Sequence, residues 1–411
     1  MGNHIDDRSY RYRFTGHERV LHNVRAEHAL PDVLKLFGYQ RAFVVCSKTL
    51  NGKTDAVRNI ASALKGRLVG LTDEVGEHSP LSNVLKAAKQ ARDLRADVIV
   101  SIGGGSVMDM CKAMQLCISE DVFERSSLLK LQFVLSEDGT EMLTTSTAAP
   151  RIRQIAIPTT IATSEWTPVS TPLDEVTHSK ARFVVPEGSP RAILYDPELL
   201  ALSPLKLLLS TGVRGLDHAI NTACSPLSHP FASLLAEKAI QLYMENLPRL
   251  RNTFDRQAFT NCQLATWYTG MGQMSVPHGF SHWMVHIVGP HGNVAHSDAA
   301  CVLMLAQAKW LEGWAEEQHG RVRRLLGRTE PFHTILSSFL SELGMPTSLE
   351  DLGLSRDQVD RMILPALEHP MVTLNNLRPI RTADELRSVM ELAWARPGSA
   401  GPRHQDDGGG S

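Results

Sequence analysis

No stretch of this 411-residue chain is apolar for long enough to cross a bilayer as a helix. The opening Met1-Gly-Asn-His-Ile-Asp-Asp-Arg8 is too polar for a secretion signal. Asp6 stands where a myristoylation site prefers Ser or Thr, so that modification is set aside. Cysteine is sparse: the six (46, 111, 117, 224, 262, 301) are scattered with no C-x-x-C pair. That spacing argues against a disulfide frame or a zinc knuckle and predicts reduced thiols in a cytoplasm. An excess of either charge is also missing. With 42 Lys and Arg against 44 Asp and Glu, the net charge of -2 gives no electrostatic case for nucleic acid or an anionic membrane. Internal repeats and long low-complexity tracts are absent. What is present, 43% hydrophobic and 21% charged residues, is ordinary for a soluble globular protein of roughly two domains.

Residues 1–16 are polar and read as a loose arm or an added edge strand. Arg41–Cys46, Arg67–Leu71, Asp97–Ile102, Ile152–Ile157 and Ala192–Asp196 read as short buried strands, with helices near 54–65 and 81–94 between them. Strand, helix, strand, glycine turn, helix is the rhythm of a parallel α/β sheet. Residues 120–150 are polar and read as excursions from it. After Pro197 the chain becomes leucine-rich and 3.6-periodic, with candidate helices at 204–209, 211–224, 230–246, 256–272, 276–288, 297–314, 332–343 and 382–394. The expected division is an α/β domain over 1–198, a helical domain over 199–396 and a flexible tail over 397–411.

Chemistry concentrates in three places. The strand at 97–102 runs into Gly103, Gly104, Gly105 and Ser106, where missing Cβ atoms let backbone approach a pyrophosphate and the following helix offers free N–H groups. Tight βα turns also use Gly for sterics alone, and the dinucleotide pattern G-x-G-x-x-G is absent. The loop Pro158-Thr159-Thr160-Ile-Ala-Thr-Ser-Glu-Trp-Thr-Pro168 is rich in hydroxyls suited to ribose or phosphate oxygens, or to plain turn capping. Third, His278 to His296 holds His282 and His286 four apart on one helical face, with Gly289-Pro290 ending the helix and His296 ten residues on. Arg214 and His218 share another helical face. A single histidine on a helix is more often a packing or surface residue, but this concentration marks the floor of an active site.

These residues carry a resemblance. Gly103-Gly-Gly-Ser-Val-Met-Asp109-Met-Cys-Lys112 resembles the G-G-G-S-x-x-D-x-x-K signature of the iron-containing alcohol dehydrogenase family. His282, His286 and His296 match its H-x3-H-x9-H run, and Thr211 to His218 looks like its T-G-x-D-x-x-x-H segment. The likeness runs from about 17 to 395, including Asn376-Leu-Arg-Pro379. It implies a dehydroquinate synthase-like fold, an α/β nucleotide-binding domain plus an all-helical domain with the cofactor in the cleft between them, and homodimers. Asp109 enters the expected cofactor-binding set through this signature.

The departures narrow the expectation. In metal-dependent members an Asp and three His hold Fe²⁺ or Zn²⁺, and the matching positions here are Arg214, His218, His282 and His296. A guanidinium adds a permanent positive charge where a carboxylate would hold a cation, so no catalytic metal is expected. Asp217 is expected to point elsewhere around the helix and not to substitute. The 158–168 loop looks like the P-T-T-Y-A-G-S-E-M-T-P of maleylacetate reductases, generally regarded as metal-free reducers of a dicarboxylic oxo acid. The resemblance therefore implies an NADH- or NADPH-dependent reductase of a small anionic substrate, with His286, His282, His218 and Arg214 as catalytic candidates. Arg214 would pair with a substrate carboxylate, or form a salt bridge with Asp217 or Glu237 instead. Members preferring NAD carry an acidic residue where this chain has Ser47, so NADPH should be tolerated. The alternatives are a metal-dependent alcohol dehydrogenase using His218, His282 and His296, a cyclase related to dehydroquinate synthase, and a non-catalytic binding remnant. Trp166, Trp283 and Met284 are candidate pocket walls or packing residues.

Overall fold

The computed structural model describes residues 16–394 apart from 137–141, 147–148, 252, 369–371 and 373–375. The expectations for residues before 16 and for the 397–411 tail lie outside these described residues. The chain falls into two compact units, 1–223 with 227–277, and 224–226 with 278–411. The change from α/β to all-helical sequence at residue 198 is therefore a different line from the division into units.

The first unit is built on a six-stranded parallel sheet. Its strands are β1 (Arg19–His22), β2 (Ala42–Cys46), β3 (Leu68–Thr72), β4 (Val98–Gly103), β5 (Arg153–Pro158) and β6 (Ala192–Tyr195), in the order β1-β6-β5-β4-β2-β3. β2 and β4 are buried along their whole length, as near-continuous apolar runs covered on both faces should be. Period-two alternation sorts their side chains. Phe43, Val45 and Ile99 pack with α4 (Leu81–Asp93) and α5 (Gly105–Glu120), while Val44, Val98, Val100 and Ile102 pack with α1 (Ala26–Leu36) and α3 (Ala56–Ala63). The connections leaving β2 and β4 run to opposite sides of the sheet, so the order reverses between these two neighbouring strands. Open α/β sheets bind ligands in the crevice beyond the strand C-termini at such a reversal. Ser47 ends β2 and Gly103 ends β4, and the Ser47 N–H donates to the Ile102 carbonyl at 3.2 Å.

The expected helix at 54–65 is two, α2 (Lys48–Lys53) and α3, with Ser47 capping α2 through Oγ and the Leu50 N–H. The polar excursion holds a short helix (Arg125–Leu129) and a two-stranded hairpin, Val134–Leu135 with Met142–Leu143. β1 was not among the expected strands, since its four residues are only half-buried at the sheet edge.

Three long helices complete the first unit: α6 (Leu205–Ala223), α7 (Pro230–Asn246) and α8 (Arg256–Gln273). The expected break near residue 210 does not occur, and α6 runs unbroken past Arg214 and His218. The second unit is helical: α9 (Phe280–Gly292), α10 (His296–Trp310), α11 (Glu316–Leu325), α12 (Phe332–Glu342), α13 (Arg356–Leu367) and α14 (Ala383–Leu392). α9 corrects one expectation. Pro290 sits inside it and the helix ends at Asn293, whose left-handed backbone (φ 50°) lets its N–H donate to the Gly289 carbonyl. Proline in a last turn removes only the amide that would have reached the His286 carbonyl, a smaller loss than mid-helix. No helix among the described residues is long and apolar enough to cross a membrane.

Candidate active site

At the sheet reversal the glycine turn is sterically required. A Cβ on Gly103 would lie 2.4 Å from Val107, and one on Gly104 would lie 2.8 Å from the Thr160 methyl. At Gly105, by contrast, a Cβ would make only ordinary contact, with Ser164 at 3.9 Å, so the backbone at the start of α5 is not crowded. The helix takes Gly104 as its N-cap, which offers no side-chain acceptor to the first amides, Ser106 among them. Uncapped N–H groups at the end of a 16-residue helix, where no side chain crowds them, fit a pyrophosphate. Thr159 and Thr160 are buried beside this turn, and the Thr159 N–H donates to the Gly103 carbonyl at 3.0 Å.

Lys112 is turned inward, and Asp109, expected in the cofactor-binding set, is partly exposed and paired with it. The Lys112 side chain is fully buried, 2.9 Å from Asp109 Oδ1, and Nζ donates to the carbonyls of Ser164 (3.1 Å) and Val169. Asp109 also accepts from Ser164 Oγ at 3.0 Å and from the Thr171 N–H and hydroxyl at 3.1 Å each. Burial opposes ionisation of Asp109, but Lys112 and these donors outweigh it and hold the carboxyl below its ordinary value. The pair pins the 158–171 loop to α5.

That loop leads to His218. Thr163 Oγ1 lies 3.0 Å from His218 Nδ1 and donates to Gln273 Oε1 at 2.9 Å, and the same Oε1 lies 3.2 Å from Nδ1. Gln273 Nε2 in turn donates to the Thr163 carbonyl at 3.1 Å. Neither Thr163 nor Gln273 was among the expected site residues. Trp166 is not a pocket wall: it is 1% exposed, stacked on Trp267 and donating to Tyr195 Oη at 2.7 Å. Tyr195 passes the bond on to Glu165 at 2.7 Å, and burial raises the Glu165 carboxyl to about 7.

One turn before His218, Arg214 Nη1 stands 3.4 Å from Asp217 Oδ2. The expectation that Asp217 points elsewhere fails, because positions three apart share a helical face. Asp217 is fully buried, and Asn221 Nδ2 donates to its other oxygen at 2.9 Å. Burial holds the Arg214 guanidinium below its ordinary pKa, and Asp217 works against that.

In the second unit the imidazoles form a row. Ring centroids are 4.7 Å apart for His278 and His282, 5.7 Å for His282 and His286, and 4.9 Å for His286 and His296. His278 is buried and belongs to this row, although the expected site omitted it. Its 278/282/286 spacing was the available signal. Trp283 packs among the same rings, 5.3 Å from His282 and 5.6 Å from His286, and Met284 is fully buried packing. His286 and His296 are exposed on the chain described.

Two family patterns cover nearly all of this architecture. Residues 18–197 match the iron-containing alcohol dehydrogenases, and 208–394 match the C-terminal part of the Fe-containing alcohol dehydrogenase family. The chain belongs to the iron-containing alcohol dehydrogenase family. It is an oxidoreductase with this family's parallel-sheet and helical architecture. Maleylacetate reductase 2 of Cupriavidus pinatubonensis is 27% identical over 359 residues, covering 86% of this chain and 90% of that protein. The lactaldehyde reductase of Escherichia coli is 25% identical over 379 residues, 89% of this chain and 95% of its own. Among solved structures, maleylacetate reductase from Agrobacterium tumefaciens superposes with a TM-score of 0.79 at 25% identity, covering 95% of this chain and all of that one.

Proposed function

We propose that this family member is an NAD(P)H-dependent reductase of a small carboxylated substrate, an oxo acid or enoyl acid, working without a catalytic metal in the manner of the maleylacetate reductases. The observation that carries the reading is Arg214, a desolvated guanidinium where metal-dependent relatives place a ligand carboxylate. A fixed positive charge disfavours a divalent cation and favours an anion, and the planar fork suits a carboxylate. Asp217 moderates this by neutralising part of that charge, so a substrate carboxylate has to compete for the guanidinium. Similarity to maleylacetate reductases at 27% identity supports the substrate class.

The bare amides and Gly105 at the start of α5 would hold the pyrophosphate, and Ser47 stands at the strand end expected to meet the adenosine ribose. When bound, a reduced nicotinamide supplies a hydride to the electrophilic carbon of the substrate. Arg214 orients the carboxylate, and His282 or His286 as imidazolium delivers the proton to the oxygen or carbon that gains charge. The second reading, a metal-dependent dehydrogenase, draws on one observation. His218 has acceptors at Nδ1, which leaves Nε2 in the form that a metal ligand takes.

The test is NAD(P)H oxidation over oxo acids, aldehydes and maleylacetate, with and without EDTA, beside metal analysis of the purified protein. Turnover of carboxylated substrates that EDTA leaves unchanged supports the proposal. Turnover only of neutral aldehydes, lost in EDTA and restored by Fe²⁺ or Zn²⁺, refutes it.

A further inference from the structure

Thr163 adopts a left-handed backbone with φ 50°, and it is the one β-branched residue among the described non-glycine positions with positive φ. A β-branched residue there is strained, and such strain persists only where the surroundings hold it. The maleylacetate reductase pattern P-T-T-Y-A-G-S-E-M-T-P has glycine at the matching position, which would remove the strain along with the hydroxyl.

The hydrogen bonds around it admit one consistent proton arrangement. The Thr163 carbonyl can only accept, so the amide nitrogen of Gln273 must face it, as it does at 3.1 Å. That fixes Gln273 Oε1 toward Thr163 Oγ1 and His218 Nδ1, at 2.9 and 3.2 Å. Oε1 can also only accept. Thr163 has a single hydroxyl proton and gives it to Oε1, so its lone pair faces Nδ1 at 3.0 Å. Nδ1 is thus met by two acceptors and must carry the ring proton.

We infer that Thr163, with Gln273, is a positioning residue that locks neutral His218 in the Nδ1–H tautomer, so that Nε2 offers a lone pair. The tautomer stands on this geometry alone. Its consequence for catalysis rests on the reductase reading above. A neutral His218 in this tautomer carries a lone pair at Nε2, so it cannot donate there to a developing oxyanion. Stabilising that charge then falls to Arg214, His282 and His286.

The experiment uses the full-length protein labelled with ¹⁵N-histidine, treated with EDTA and held at pH 8, so that neither metal nor a second ring proton fixes the tautomer. Long-range ¹H–¹⁵N correlation spectra are recorded for wild type and for Thr163→Ser, Thr163→Gly and Thr163→Val, with His218 assigned by comparison with His218→Gln. Wild type and the Ser variant are expected in the Nδ1–H form. The Gly and Val variants lose the hydroxyl but keep Gln273 Oε1 as an acceptor, so a minor Nε2–H population should appear in them, with kcat/KM on the best substrate of the screen lowered and largely recovered in Ser. Thr163→Gly relieves the left-handed backbone but gives up both hydroxyl contacts and adds glycine's chain entropy, so thermal melts are recorded beside the spectra to establish that the variant is folded. An Nε2–H ring in wild type, or a Gly variant with wild-type tautomer and kcat/KM, overturns the inference. Because the spectra need no substrate, failure of the reductase reading leaves this result independent.

Discussion

Arg214 and Ser47 each replace a carboxylate expected by resemblance, and each replacement can be reversed. Arg214→Asp should gain affinity for Zn²⁺ or Fe²⁺, read as metal retained through dialysis. Loss of a charge-assisted contact to the substrate is worth roughly 1.5–3 kcal/mol, or about 10- to 150-fold in kcat/KM. Arg214→Gln should therefore lose about that much on a carboxylated substrate. The single change also leaves Asp217 buried without its partner at 3.4 Å, so Arg214→Gln with Asp217→Asn is the cleaner comparison. At Ser47, aspartate can cap α2 as the serine does, so Ser47→Asp should fold normally. Its charge would repel a 2′-phosphate, and we expect NADPH use to fall about tenfold relative to NADH in steady-state kinetics.

The elements were legible where apolar pattern and turn chemistry agree. β2 and β4 read as buried strands because nearly every residue is apolar, and the glycine turn marked the start of α5. α11 escaped notice because only His319, Gly320 and Val322 of its ten residues are buried, too thin a stripe to show a period. α9 ran past its apparent stop because Pro290 falls in its final turn, where the cost is small. The Arg214–His218 face was readable from spacing on one helix. The Thr163–Gln273 clamp was not, since it joins positions 110 residues apart that only the fold brings together. Lys112 was visible only as the last residue of the signature on α5, because its partners lie on the 158–171 loop, which spacing alone does not bring to it. Breaking one side of such a buried pair costs about 3–5 kcal/mol. Lys112→Met should show that loss in urea unfolding, and Lys112→Met with Asp109→Asn should recover much of it.

Across the whole molecule, buried titratable groups set the pH dependence of stability. Burial lowers His17 and His319 from 6.5 to about 4. Each contributes stability present above its unfolded value, and that contribution is lost as pH falls from 6.5 through 4. Glu165, raised to about 7, does the reverse, and its contribution fades as pH rises from 4.5 through 7. Burial also lowers His229, so three histidines against one carboxyl predict a net loss of stability on acidification from 6.5 to 4.5. His319→Phe, which keeps an aromatic ring against Phe332 at 4.8 Å, should flatten that slope in urea melts. All six cysteines are buried, and burial pushes the thiols of Cys46 and Cys117 up to about 12. Maleimide dyes should therefore leave the native enzyme unmarked. A single cysteine introduced at exposed Leu364 would be the one surface thiol, giving a fluorescent reporter without removal of any native residue.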